Sequence, residues 1–186
     1  MADYMNEIAW RENIEWSNIW WEKANDVKLN RIALLGDSVT RAFRGKLNRR
    51  LEGRYVVDIC ASSSQITDSL LWKEYKFFFE CNEWKYSKIF LHTGGQHGHG
   101  RQCCLDKEYC ELFRKSYRAM VNSVYKYCSD ISIISYTPTV EKDNLEELND
   151  IRNRKLVARN EIVSDIAEEF SIPYIDIWNP LLIGGI

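Results

Sequence analysis

Ile32-Ala33-Leu34-Leu35-Gly36-Asp37-Ser38 is the stretch on which the reading of the fold turns. Residues 32–35 have the length and composition of a buried strand, and residues 41–51 after it recur with helical period. Gly36 permits a sharp turn between the two, and Asp37 is a turn-former whose carboxylate can accept local N–H bonds. Ser38 therefore stands at the carboxyl end of a strand, just ahead of a helix. Open α/β sheets place their ligands at that edge, and the N–H groups of a helix start can polarise a carbonyl or stabilise an oxyanion. Taken alone, Gly-Asp-Ser fits a helix-capping serine better than a nucleophile.

The same alternation continues along the chain. Short β-rich apolar runs at 55–60, 89–92, 131–136 and 172–177 are separated by segments of helical period, which predicts an α/β fold: a three-layer α/β/α sandwich around a five-stranded parallel sheet. The clearest helix spans 105–128, where Leu105, Tyr109, Leu112, Phe113, Tyr117, Met120, Val121 and Val124 recur at three- and four-residue steps. Shorter helices are expected at 41–51 and 68–80. Asn144 with Glu147 reads as a capping box opening a second long helix that ends before Pro173.

With 186 residues the chain forms one domain, residues 1–186, with residues 1–30 as an N-terminal helical extension. Four of its seven tryptophans (Trp10, Trp16, Trp20 and Trp21) lie there with Ile14 and Ile19, reading as an amphipathic helix that packs on the domain. An aromatic platform for sugar rings or a dimer contact are the alternatives. The formal charge of −2, from 25 basic and 27 acidic residues, favours no nucleic acid and suits a small, weakly charged substrate. The polar, acidic start lacks the basic and apolar regions of an export signal, and no apolar run approaches the roughly 18 residues of a membrane span, so a cytoplasmic location is expected. The six cysteines form no Cys-x-x-Cys pair and read as reduced thiols.

Three small or polar loops converge on the sheet edge that carries Ser38. The second strand ends in Ala61-Ser62-Ser63-Ser64 and the third in His92-Thr93-Gly94-Gly95-Gln96-His97-Gly98. The order Leu34-Leu35-Gly36-Asp37-Ser38, serine-rich loop, Gly95-Gln96-His97 resembles the first three sequence blocks of the SGNH hydrolase (GDSL-like lipase/esterase) superfamily, in its bacterial Gly-x-His form. Ser135-Tyr136-Thr137-Pro138 and the run from Arg159-Asn160 to Ile172-Pro173-Tyr174-Ile175-Asp176 are similar to stretches in bacterial members. The resemblance implies a flavodoxin-like arrangement, no cofactor or metal, and a serine that attacks an ester carbonyl. Carried over, Ser38 is the nucleophile, the Ser62 and Ser63 backbone and His97 with Gly95 hold the oxyanion, and Gly36 and Asp37 support the turn.

Two departures bear on activity. Where the family usually reads Gly-x-Asn-Asp, this sequence has Gly95-Gln96-His97-Gly98, so an imidazole stands where an amide donates; neutral imidazole still carries one N–H. The family's Asp-x-x-His, which supplies the base, should follow the fifth strand, yet no histidine follows His99 and Asp176 lies too early. His97 or His99 can in principle replace that base. With Cys103, Cys104 and Cys110 they also offer soft ligands, though at no known metal spacing.

The expected function is a serine-dependent ester hydrolase or acyltransferase in a longer form of the chain, with carbohydrate acetyl esters implied by the resemblance alone. The alternative is a catalytically silent binding or assembly module. A missing last helix would leave part of one sheet face uncovered and favour a homo-oligomer. A phosphate-cofactor binder lacks the glycine motif it would need after the first strand.

Overall fold

A strand buried along its whole length needs cover on both faces, and the run at 31–36 is such a strand. In the computed structural model, which describes residues 14–93, 107–144 and 146–183, β2 (Arg31–Gly36) lies inside a six-stranded sheet ordered β1-β3-β2-β4-β5-β6. Its companions are β3 (Val56–Ser62), β4 (Tyr86–Leu91), β5 (Ile131–Ile134) and β6 (Tyr174–Ile175), all parallel to it. Side chains alternate between faces along each strand. Ala33, Leu35, Cys60, Ile89, Leu91 and Ile133 enter the larger core beneath α2 (Ser69–Glu80), α3 (Lys107–Val124) and α4 (Asp150–Glu169). Ile32, Leu34, Val57 and Ile59 face the other way, toward Phe43, Leu47 and Leu51 of α1 (Ser38–Leu51). The three-layer α/β/α architecture is the expected one.

Three elements differ from the sequence reading. The sheet has a sixth strand, β1 (Ser17–Trp20), antiparallel to β3 with Ser17 opposite Ser62 and Trp20 opposite Ile59. The described part of the N-terminal extension is therefore strand and turns rather than a helix. Trp16 and Trp20 pack on the α1 side while Ile19 and Trp21 pack on the opposite core. Over so short a stretch that alternation is hard to tell from a helical stripe, and the open backbone edge of β3 decides for the strand. The supposed capping box is instead a turn: Asn144 Oδ1 accepts from the Glu146 N–H, and Val140 bridges Leu148. α4 begins later, capped by Asn149, whose Oδ1 accepts the Arg152 N–H at 2.8 Å. The fifth helix, α5 (Trp178–Ile183), is short and follows β6 directly.

The amino ends of β2 and β3 are joined by a buried ion pair. Arg31 Nη1 donates to both Asp58 oxygens, at 3.0 and 2.9 Å, and Arg31 also donates to the carbonyls of Glu22, Lys23 and Asp26. The Glu22 N–H and the Tyr86 hydroxyl complete the Asp58 shell, and Trp84 lies 3.9 Å from the guanidinium. Burial raises the Asp58 carboxyl above its usual range, and Arg31 works against that rise. The pair thus pins the 21–30 turn beneath the sheet. Asp58→Ala leaves a cation at a site only 1% exposed without its counter-charge, so the unfolding free energy measured by urea titration is expected to drop by about 3–5 kcal/mol.

Candidate active site

The β2–α1 turn is fixed by lack of space. A Cβ on Gly36 would lie 1.9 Å from Thr40 Oγ1 and 3.0 Å from the His92 carbonyl oxygen, so only glycine lets α1 start this close to β4. Asp37 follows as the N-cap: its Oδ1 accepts the Val39 N–H at 2.9 Å, and its carbonyl accepts the Arg41 N–H at 2.9 Å. Ser38 is then the first residue of a 14-residue helix, half-buried, at the helix's positive end.

β2 pairs with β3 and β4 in parallel register, Gly36 beside Ala61 and Leu35 beside both Cys60 and Leu91. Ser38, the Ser62–Ser64 loop and the His92–Thr93 exit therefore lie side by side along one sheet edge. Ser62 ends β3, and its Oγ accepts the Ser64 N–H at 3.1 Å. Ser63 is tied to the N-terminal segment: its N–H donates to the Trp16 carbonyl at 3.1 Å, and its hydroxyl donates to Glu15 Oε2 at 2.6 Å. The Ser63 N–H is therefore engaged within the protein. Burial raises the nearby Glu74 carboxyl, while hydroxyl bonds from Ser62 and Ser17 pull it down. Gly95, His97 and His99 lie outside the described residues.

The departure point of that segment is well anchored. The Tyr136 hydroxyl donates to the Thr93 carbonyl at 2.7 Å, and the Tyr75 and Thr93 hydroxyls share a hydrogen bond. His92 holds the other side, a residue with no role in the sequence reading. Fully buried, it places Nδ1 3.3 Å from Thr40 Oγ1 and 3.7 Å from Asp37 Oδ1, beneath the turn that carries Ser38. Burial lowers its pKa, opposed by the Asp37 carboxylate and by the His92 and Ser135 carbonyls. The other oxygen of Asp37 is buried and accepts no hydrogen bond from a described residue.

Asp176 is occupied elsewhere. Its Oδ1 accepts the N–H groups of Trp178 and Asn179 at 2.9 and 3.2 Å, capping the start of α5. Neither it nor the buried His92 presents an Asp-x-x-His to Ser38. No cluster of three or more His, Cys, Asp or Glu side chains arranged for a metal occurs among the described residues, and no described helix is long and apolar enough to cross a membrane. The four described cysteines are free thiols, with Cys60 in the core.

No family model matches the chain, and no curated protein matches it by sequence. Solved structures do share its fold. It is similar to an acetyl xylan esterase, at 16% identity and a TM-score of 0.60 over 81% of this chain and 78% of that one. An acetyl xylan esterase from Geobacillus stearothermophilus gives 15% identity and a TM-score of 0.55 over 81% and 77%. A GDSL-like lipase from Bacteroides thetaiotaomicron gives 13% and 0.56 over 81% and 70%. The chain has the α/β/α fold of these proteins, in line with its three sequence blocks.

Gly36→Ala is expected to lower the unfolding free energy by about 1–3 kcal/mol in denaturant titration, the usual cost of overpacking. His92 sets an acid limit. Its folded pKa lies below the ordinary 6.5, so the unfolded chain binds the extra proton first, and stability present above that pH is lost as pH falls below it. Replacing His92 by Asn should flatten this part of the stability–pH curve.

Proposed function

We propose that this chain is the catalytic α/β/α domain of a serine-dependent ester hydrolase or acyltransferase, with Ser38 as nucleophile and small or carbohydrate-borne acyl esters as substrates. The observation that carries the reading is the placement of Ser38 as first residue of α1, on the Gly36-Asp37 turn, at the carboxyl end of β2 between the ends of β3 and β4. The acetyl xylan esterases of similar fold make acetylated carbohydrate the first substrate class to try.

In this reading the Ser38 Oγ attacks the ester carbonyl carbon, its proton passes to a base, and the carbonyl oxygen becomes the tetrahedral oxyanion. Collapse releases the alcohol and leaves an acyl-serine, which water or an acceptor hydroxyl then resolves. The positive end of α1 favours the oxyanion electrostatically. Further donors are the Ser62–Ser63 loop and the Gly95–His97 segment; the Ser63 N–H contributes only by exchanging its bond to Trp16. Asp37 and Gly36 hold the turn rather than react. The Asp-x-x-His base of the family is not in this chain; His97 or His99, both outside the described residues, can replace it in principle, His97 only by giving up its place at the oxyanion.

A second reading, a silent module that binds without turnover, is favoured by Asp176 being occupied as a helix cap and by His92 being sealed beneath the turn. The two readings separate on hydrolysis of an activated acetyl ester by the chain beside Ser38→Ala. Turnover that falls to background in the variant while its melting temperature holds supports the enzyme. Equal rates in both proteins remove Ser38 as nucleophile, and ligand binding without turnover in either supports the silent module.

A further inference from the structure

All five ionisable side chains of α1 are cationic: Arg41, Arg44, Lys46, Arg49 and Arg50 stand in a 14-residue helix without an acid, within a chain whose formal charge is −2. Two of them are engaged. Arg44 pairs with Glu22 at 2.7 Å, and Arg41 donates to Asn18 Oδ1 at 3.1 Å. Lys46, Arg49 and Arg50 are exposed, and their charged groups meet no counter-charge among the described residues. Like charges three and four residues apart repel on a helix surface. The negative end of the helix dipole offsets this for Arg49 and Arg50 in the last turn, but its reach stops short of Lys46.

Between these cations the helix is bare, with Ala42 and Gly45 exposed. Arg41 and Arg49 lie one turn to either side of Gly45, and Lys46 is next to it. Glycine is the least favourable helix residue after proline, and nothing inside the protein requires this one. Its backbone is ordinary helix, and an added Cβ would meet only Arg49 Nη1, at 3.8 Å. Packing gives no reason for Gly45, whereas a molecule lying on the helix does, because glycine lets it approach the backbone closely.

A face of hydrated cations selects a counter-charge rather than an apolar cover. The rings beside it, Trp16 and Trp20, already carry Arg41 and Arg44 over them at 4.5 and 5.0 Å and pack on the core beneath α1. They are not free platforms for the bases of a single-stranded nucleic acid. The exposed residues from Arg41 to Arg50 include no large apolar side chain to enter a membrane. A sugar chain bearing carboxylates fits both features: its rings lie on the flat floor at Ala42 and Gly45, and its carboxylates meet Lys46, Arg49 and Arg50.

We propose that the outward face of α1 binds such an anionic glycan, as an extension of the Ser38 site. This rests on the reading of Ser38 as acting on carbohydrate-borne esters. Arg41 lies about 5 Å and Arg50 about 18 Å beyond Ser38 along the helix axis, so a glycan laid along α1 ends at the Ser38 turn.

Isothermal titration calorimetry on the whole chain tests it. The probes are an alginate oligomer, with a carboxylate on every ring, that spans the helix length of about 21 Å, and a neutral xylan oligomer of equal length. Alginate should bind, more weakly as salt rises, and xylan should not. Lys46→Gln, Arg49→Gln and Arg50→Gln together should weaken alginate binding roughly tenfold with an unchanged circular dichroism spectrum. Gly45→Leu keeps every charge and favours the helix, and should weaken binding by filling the floor. No alginate binding at low salt overturns the proposal, as does binding that either variant leaves unchanged or that a DNA oligomer of equal charge matches. Ester turnover is read separately. Absence of alginate binding beside Ser38-dependent hydrolysis of a neutral acetyl ester removes the glycan site alone. Alginate binding to a chain that hydrolyses the ester no faster than its Ser38→Ala variant upholds the glycan site and removes the nucleophile.

Discussion

Between Gly36, Thr40 and the His92 carbonyl there is no room for one more carbon atom, and the rest of the site follows from that contact. It sets how steeply α1 leaves β2 and how near the helix start lies to β4. Asp37 can therefore reach the Val39 N–H on one side and approach the His92 ring on the other. Ser38 is presented on a rigid element at the helix's positive end. A looser turn would place the same hydroxyl on a mobile loop, where neither the dipole nor the neighbouring strand ends could be held in register with it.

The two ends of the central strands are organised by opposite means. At the amino ends the charges are densely bonded: Arg31 and Asp58 are held to each other, to three carbonyls, to a backbone N–H and to Tyr86, leaving Arg31 Nε without a partner among the described residues. At the carboxyl ends polarity is left partly unsatisfied, with a carboxylate oxygen of Asp37 and the Ser64 hydroxyl buried without partners among the described residues. Unfilled polar capacity is costly in a core and useful in a site, because it is ready for a group that arrives later.

The sequence made the parallel sheet legible because each buried strand is a short apolar run and each helix after it keeps its period; the 89–92 and 131–136 runs sit on β4 and β5 as expected. The position of Ser38 was legible for the same reason, since Gly36-Asp37 punctuates strand and helix. β1 was not: Trp16, Trp20 and Trp21 fit a helical stripe as well as a strand that alternates faces, and the free edge of β3 that decides between them is a tertiary fact. Nor was the role of His92, whose partners Thr40 and Asp37 lie 52 and 55 positions away and meet it only through the β2–β4 register. Asn144 and Glu147 had the chemistry of a cap but stand in a turn, because the Val140–Leu148 bridge holds that segment extended.

The strands at the two margins of the sheet are short, four residues in β1 and two in β6. β1 closes the long ladder of β3 with antiparallel bonds, and Arg41 and Arg44 of α1 stack over Trp16 and Trp20 to hold it there. An unclosed β3 would offer seven extended residues, Val56–Ser62, to any passing chain, and strand addition at such a margin is how sheets begin to polymerise. The tryptophan-rich segment thus acts as a safeguard on solubility: a product initiated after it would keep the whole carboxyl edge of the parallel strands and yet be prone to aggregate.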